Sequence, residues 1–269
     1  KLQYKDVVAY NALFLGYIKC GRNHQVLECF KQMQYDGILP DSITFLCMLK
    51  ACGNLGAIET GECLHMNIVE EGLLLDRDLD IGNALLNMYA RCGLLNKAHN
   101  LFDKLPFRDI ITWTTLLAGY AQIGEDEKVI SAFNQMREEH IEPTPITFVN
   151  VLNVCTHGGL VGKGELYFRD MVTQYNIKPS LEHYTCLIDL LCRAGQLRRA
   201  IWLVWNMPSH PDLVLWHTML GACKRSGDLD LGMRVFTHAL HLDEMNPSSY
   251  VFMSNILADH DVQEDIYQC

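Results

Sequence analysis

Apolar residues along this chain recur with a helical period in short blocks, and each block closes on a glycine. In the first block Tyr10, Leu13, Phe14 and Tyr17 sit three or four residues apart, which lays them on one face of an α-helix. Gly21 follows, and a second block carrying Val26 and Phe30 runs to Leu39-Pro40-Asp41, where proline and a polar turn stop it. The pattern predicts a helix, a glycine turn and a second helix. The opening stretch DVVAYNALFLGYIKCGR at 6–22 returns at 109–125 as DIITWTTLLAGYAQIGE, a near respelling.

Self-similarity at this spacing marks a repeat architecture. With Val7 as position 1, new units open at Ser42, Leu79, Ile110, Pro145, Leu181 and Leu213, and their lengths cycle between 31 and 37 residues. Position 15 is glycine throughout: Gly21, Gly56, Gly93, Gly124, Gly159, Gly195 and Gly227. Glycine there supplies the positive φ that ends a helix cheaply. Position 20 is always small or β-branched, from Val26 and Gly61 to Gly232, and is expected where the two helices of a unit cross. Position 4 is aromatic at Tyr10, Phe45, Trp113, Phe148, Tyr184 and Trp216, with Gly82 the exception. Aspartates end the preceding units at Asp6, Asp41, Asp78, Asp109 and Asp212, placed to cap the next helix. One hairpin cannot bury its own apolar stripe, so the units must stack. The fold class is all-α, an α-solenoid of helix-turn-helix repeats.

Composition narrows the rest. At 269 residues, with an apolar content near half, disorder is excluded. No apolar run approaches the roughly 18 residues that span a bilayer, so no membrane partner is expected. The chain opens on Lys1 without a signal peptide, which reads as a fragment or a processed protein. Eleven cysteines without a CxxC pair argue against a zinc framework and a secreted disulfide scaffold. Cys52, Cys155 and Cys223 all fall at position 11, so they track the repeat and belong to packing. A formal charge of −10 speaks against nucleic acid, whose binders carry a basic footprint. The acidic Glu125, Asp126, Glu138 and Glu139, however, fall in turns and second helices rather than first helices.

Units that cycle in length and begin VVAYN or IITWT resemble the pentatricopeptide repeat family of land-plant organelles, and in particular its subclass of alternating standard, long and short motifs. The most specific stretches are GNALLNMYARCGLLNKAHNLFDKLPFRDIITWTTLLAGYAQIGE and LEHYTCLIDLLCRAGQLRRA. The resemblance divides the chain into a tail of a preceding repeat at 1–6 and a repeat at 7–41. A long motif at 42–78, a short one at 79–109 and a standard one at 110–144 follow. A second long motif spans 145–180 and a second short one 181–212. PDLVLWHTMLGACKRSGDLDLGMRVF then resembles the first extension motif, 213–246, and 247–269 a degenerate or truncated second one. The family's superhelix is right-handed, and repeats are expected upstream.

The resemblance implies sequence-specific binding of single-stranded RNA, one base per repeat, by a monomer without a cofactor. In the family, position 5 and the last residue of a unit read the base edge, and position 2 packs on the base face. Carried over, the reading residues are Asn11 with Asp41, Asn83 with Asp109, Thr114 with Thr144, and Thr185 with Asp212, and the packing residues are Val8 and Ile111. Asp80 and Glu182 depart from the apolar choice at position 2. Leu46 with Asp78 and Val149 with Ser180 make the long units nearly silent, because an apolar side chain cannot read a base edge. Lys19, Arg91, Arg193 and Arg225 at position 13 are candidates for phosphate contacts, or simply cations at helix C-termini. Each polar pair also has a plain reading, as first-turn residues and N-caps.

Members of this subclass with extension motifs direct cytidine-to-uridine editing of organelle transcripts. The resemblance therefore implies a mitochondrial or chloroplast protein, a DYW-type deaminase recruited in trans, and small editing-cofactor proteins bound through the long motifs. The deaminase itself needs H-x-E followed by P-C-x-x-C around a zinc ion. Here the one H-x-E, His140 to Glu142, has no C-x-x-C after it, so neither catalytic nor metal residues are assigned and no enzyme is expected. VQEDIYQC stands where a basic helix is usual in the second extension motif. A second reading stays open, that of a helical-repeat scaffold binding protein partners in an organellar complex.

Overall fold

The computed structural model describes residues 6–74 and 79–267, with side chains up to residue 258. Among these residues all regular structure is helical. The helices are α1 (Val7–Lys19), α2 (Asn23–Tyr35), α3 (Ser42–Leu55), α4 (Ile58–Glu70), α5 (Leu79–Arg91), α6 (Leu95–Lys104), α7 (Ile110–Gln122) and α8 (Asp126–Glu138). They continue with α9 (Pro145–His157), α10 (Val161–Thr173), α11 (Leu181–Arg193), α12 (Leu197–Asn206), α13 (Leu213–Ser226), α14 (Leu229–Leu242) and α15 (Pro247–Tyr267). The first helix of every hairpin starts at the residue taken as position 1.

The starts are set by capping. The carboxylates of Asp6, Asp41, Asp109 and Asp212 each accept the backbone N–H three residues on, at 2.8 Å. Thr144 and Ser180 do the same work in reciprocal boxes with Thr147 and His183. A cap of this kind is worth about 1 kcal/mol. Asp78, expected to cap α5, lies outside the described residues. All seven position-15 glycines take φ between +64° and +75°, the left-handed region a side chain would strain.

The chain divides into two compact units, Lys1–Pro143 and Thr144–Cys269. In the first, α1, α3, α5 and α7 pack side by side as one layer. In the second layer α2, α4 and α6 each pack against their own first helix and the next one, while α8 packs against α7. In the second unit α9, α11 and α13 form a layer of their own by the same side-by-side packing, and α15 takes the place a further first helix would hold. Met253 and Ile256 of α15 close the core that Trp216, Leu220 and Val235 begin.

Position 4 supplies the large buried side chains, among them Phe45, Trp113 and Phe148, each worth about 1.5–3 kcal/mol by burial. Position 20 serves the crossing within its hairpin, where a Cβ on Gly164 would lie 3.4 Å from Cβ of Cys155, but it also faces the next hairpin. A Cβ on Gly61 would lie 2.6 Å from Sδ of Met88, and one on Gly164 would meet Cδ2 of Leu190. Both neighbours belong to the first helix of the following hairpin. The small residue therefore sets the stacking distance between repeats as much as the angle inside one.

Cys52, Cys155 and Cys223 are buried, as their register implied. Burial pushes the Cys52 and Cys223 thiols up to about 12, so neither is a ready thiolate.

Candidate nucleic-acid interface

The first helices present their second residue to solvent. Val8 is 70% exposed and Ile111 55%, and Ile43, Ile146 and Val214 at the same register are exposed too. Asp80 and Glu182 fill the two remaining places, also exposed. One exposed apolar residue is ordinary, but five at one register form a pattern that folding does not require. The sequence reading named only Val8 and Ile111; register alone would have added the other three.

Position 5 sits one turn further along the helix. Asn11 is nearly covered, and its Nδ2 donates to both carboxylate oxygens of Asp41, at 2.9 and 3.0 Å. Its Oδ1 accepts the Thr44 hydroxyl at 2.8 Å. The arrangement repeats two hairpins on, where Asn83 Nδ2 donates to Asp109 at 3.3 Å and Oδ1 accepts the Thr112 hydroxyl at 2.7 Å. An ionised carboxylate only accepts, so the amide must turn its nitrogen to the aspartate. Against the burial that would raise it, the Thr44 backbone N–H, the Asn11 amide and the Thr44 hydroxyl hold the Asp41 carboxyl below the usual range. Asp109 is lowered in the same way, by Thr112 and Asn83 prevailing over burial. Asn83, with one donor bond, keeps an amide hydrogen and an oxygen lone pair beside the groove it lines. Asn11 keeps a lone pair and has a hydrogen to spare only where one N–H serves both oxygens of Asp41.

The other two predicted pairs differ. Thr185 donates to its own helix at Leu181 O, 2.9 Å, and makes no direct bond to Asp212, which caps α13. Thr114 donates to Ile110 O at 2.7 Å in the first unit, and Thr144 caps α9 in the second. In the second long repeat, where Val149 holds position 5, Ser180 is engaged by the buried His183. The other nitrogen of His183, Nε2, lies 2.9 Å from Pro145 O, so the imidazole ties one hairpin to the previous one.

Grooves run between the first helices. One of about 320 Å3 is lined by Asn83 and Arg91 from α5, Ile111 from α7, and Leu46 and Lys50 from α3. A candidate reading residue, a candidate packing residue and a candidate phosphate contact thus share one depression. Its lining holds two cations and no carboxylate, although the whole chain carries −10. Arg91 also borders a smaller groove of about 180 Å3 with Thr114. In the second unit a groove of about 360 Å3 is lined by Arg193, Val214 and Arg225, with Asp189 among them. Arg193 is bonded to that Asp189 at 3.0 Å, which lowers its availability. Lys19 is exposed at the end of α1. Lys50 was not singled out from sequence, because it falls outside position 13.

No helix among the described residues is long and apolar enough to cross a membrane, and no group of three metal-ligating side chains comes together there.

Family models for the PPR repeat family match residues 5–54, for the pentatricopeptide repeat domain 108–157, and for the PPR repeat 83–110, 182–210 and 214–238. Among curated relatives from Arabidopsis thaliana, the chloroplastic pentatricopeptide repeat-containing protein CRR2 is 34% identical over 97% of this chain and 40% of its own length. A mitochondrial pentatricopeptide repeat-containing protein is 33% identical over 96% of this chain and 55% of its own. The chain therefore spans about half or less of these relatives. The crystal structure of pentatricopeptide repeat protein PPR10 in complex with an 18-nt psaJ RNA element superposes with a TM-score of 0.81. It covers 95% of this chain and 38% of that one, at 21% identity. PPR10 from maize, solved separately, gives 0.68 over the whole chain and 44% of its own length, at 15% identity. The shared fold is the helical-repeat solenoid.

Proposed function

Because the chain belongs to the pentatricopeptide repeat family, we propose that it is a sequence-specific single-stranded RNA-binding module, reading one base per hairpin from the layer of first helices. The observation that carries this reading is the groove where Asn83, Arg91 and Ile111 converge from two helices. A hydrogen-bonding edge, a cation and an exposed apolar face are what a splayed nucleotide needs. PPR10, which shares the fold, is a protein solved with RNA bound. Relatives are named as mitochondrial and as chloroplastic, and the chain is an organellar protein.

The finer assignment is what the resemblance to the subclass of alternating motif lengths implies. The chain is of the subclass with long and short motifs and an extension region, and its role is to select sites for cytidine-to-uridine editing with a deaminase acting in trans. Asn11, Asn83, Thr114 and Thr185 are the reading residues of this proposal, oriented or supported by Asp41, Asp109, Thr144 and Asp212. Val8 and Ile111 pack on base faces. The long hairpins at 42–78 and 145–180 serve small editing-cofactor proteins.

Fluorescence anisotropy with labelled RNA tests the reading. The resemblance implies a pyrimidine for asparagine with aspartate, guanosine for threonine with aspartate and a weak purine for Thr114 with Thr144. Single-stranded RNA carrying 5′-YNYRNG-3′ is therefore expected to bind, while the same sequence as a duplex is not, because its base edges are already paired. Equal binding to strand and duplex, or no binding to either, would contradict it, and the latter would favour the scaffold reading.

A further inference from the structure

We infer that Thr44 and Thr112, the third residues of the hairpins that follow Asn11 and Asn83, are positioning residues for base choice, fixing the plane of the asparagine amide. The inference rests on the reading above that the asparagines contact bases.

The geometry recurs independently at two sites. At each, a buried threonine hydroxyl donates to the asparagine Oδ1, at 2.8 Å from Thr44 and 2.7 Å from Thr112. At each, the aspartate receives Nδ2 from the other side. A planar amide held at one atom pivots about that contact. Held at both Oδ1 and Nδ2, it has neither flip nor tilt left. This matters most at Asn83, where the aspartate contact is the longer, at 3.3 Å, and the threonine contact the shorter.

The fixed plane has a consequence for pyrimidines. Uracil offers a donor at N3 beside acceptor oxygens, whereas cytosine offers an acceptor at N3 beside a donor amine. A locked amide presents its remaining hydrogen and lone pair in one order and matches one of these edges. A pivoting amide can present either order and accepts both. Purine rejection depends on the space beside the asparagine and does not need the lock.

The third residue varies along the chain: after Leu46 and Thr185 it is Ile81 and Leu215, without a hydroxyl, whereas after Thr114 it is Thr147 and after His217 it is Ser249. Only Asn11 and Asn83 offer it an amide oxygen at position 5.

Each hydroxyl has a single proton, shared between the asparagine Oδ1 and the aspartate oxygen 2.8–2.9 Å away, so both threonines also help close the cap of their own helix. A purely capping role would weaken binding to every RNA alike. The test is therefore a ratio: affinities of the full 269-residue chain for RNAs differing only by U or C at the base read by Asn11, and separately at the base read by Asn83. We expect Thr44→Val to bring a U-to-C ratio of about fivefold or more close to one at the Asn11 base only, since one edge contact is worth roughly 1–3 kcal/mol. Thr112→Val should do so at the Asn83 base only, and Thr44→Ser should restore the ratio. If Thr44→Val does not fold, Thr112→Val with its serine counterpart decides alone. An unchanged ratio, or an equal loss for all RNAs, overturns the inference. An unaltered chain that shows no pyrimidine preference at either base removes the reading beneath it, and the inference with it.

Discussion

Thr185 differs from Asn11 and Asn83 in what its side chain already does. Its hydroxyl is turned back to Leu181 O, and no bond joins it to Asp212. An asparagine in its place would extend an amide beyond the helix toward the aspartate. The resemblance implies that asparagine with aspartate favours pyrimidines, uridine first, and threonine with aspartate guanosine. Thr185→Asn is therefore expected to move the last preferred base from G to a pyrimidine and to leave the others alone, which parallel binding to single-base RNA variants would check. The aspartates make a second prediction. The carboxyls of Asp41 and Asp109 are lowered in the folded chain, so their stabilising effect is complete above the ordinary carboxylate value of about 4 and is lost as pH falls through the folded value. Asp41→Asn keeps a capping oxygen but does not titrate. Denaturation between pH 7 and pH 3 should show a smaller loss of stability for that variant than for the unaltered chain, and an equal loss would contradict the assignment.

At the scale of helices, stability resides in the small residue of each second helix. Gly164 faces the fully buried Leu190, and a branched side chain there must displace it. Gly164→Val should cost about 1–3 kcal/mol, the usual penalty of overpacking, measured as a lower denaturation midpoint. Gly159→Ala, strained by φ of +64° but with open space around its Cβ position, should cost about 1–2 kcal/mol. Much of this level was legible in sequence. Helix starts could be read because the aspartates, threonine and serine that cap them stand directly before position 1. Which helix Gly61 and Gly164 face could not, because a period states how often a small residue recurs and not what it meets. The inward hydroxyls of Thr44 and Thr112 were hidden for a similar reason: a threonine three residues after an aspartate already has a local explanation as a capping partner. The Arg193–Asp189 bond was within reach, since the two stand four residues apart on one helix.

Across the whole molecule, the net charge and the grooves point in opposite directions. The acidic Glu125, Asp126, Glu138 and Glu139 lie on and around α8, whereas Lys50 and Arg91 line the groove between α3, α5 and α7. With at most four position-13 cations on phosphates, and Arg193 partly engaged, log affinity against log salt should fall with a slope of about −3 or shallower, at ~0.7 per phosphate for a single strand. A slope near about −8 would mean a basic surface larger than these four residues supply. The central claim is that the register of first helices spells a base sequence, and selection from randomised single-stranded RNA tests it most directly. The RNA is expected to run 5′ to 3′ as the chain runs from Asn11 to Thr185, giving 5′-YNYRNG-3′, with the two pyrimidines and the final G the strongest positions and the long hairpins open. Selected RNAs with no shared motif, or with preferences at the positions of Leu46 and Val149 instead of Asn11, Asn83 and Thr185, would contradict it.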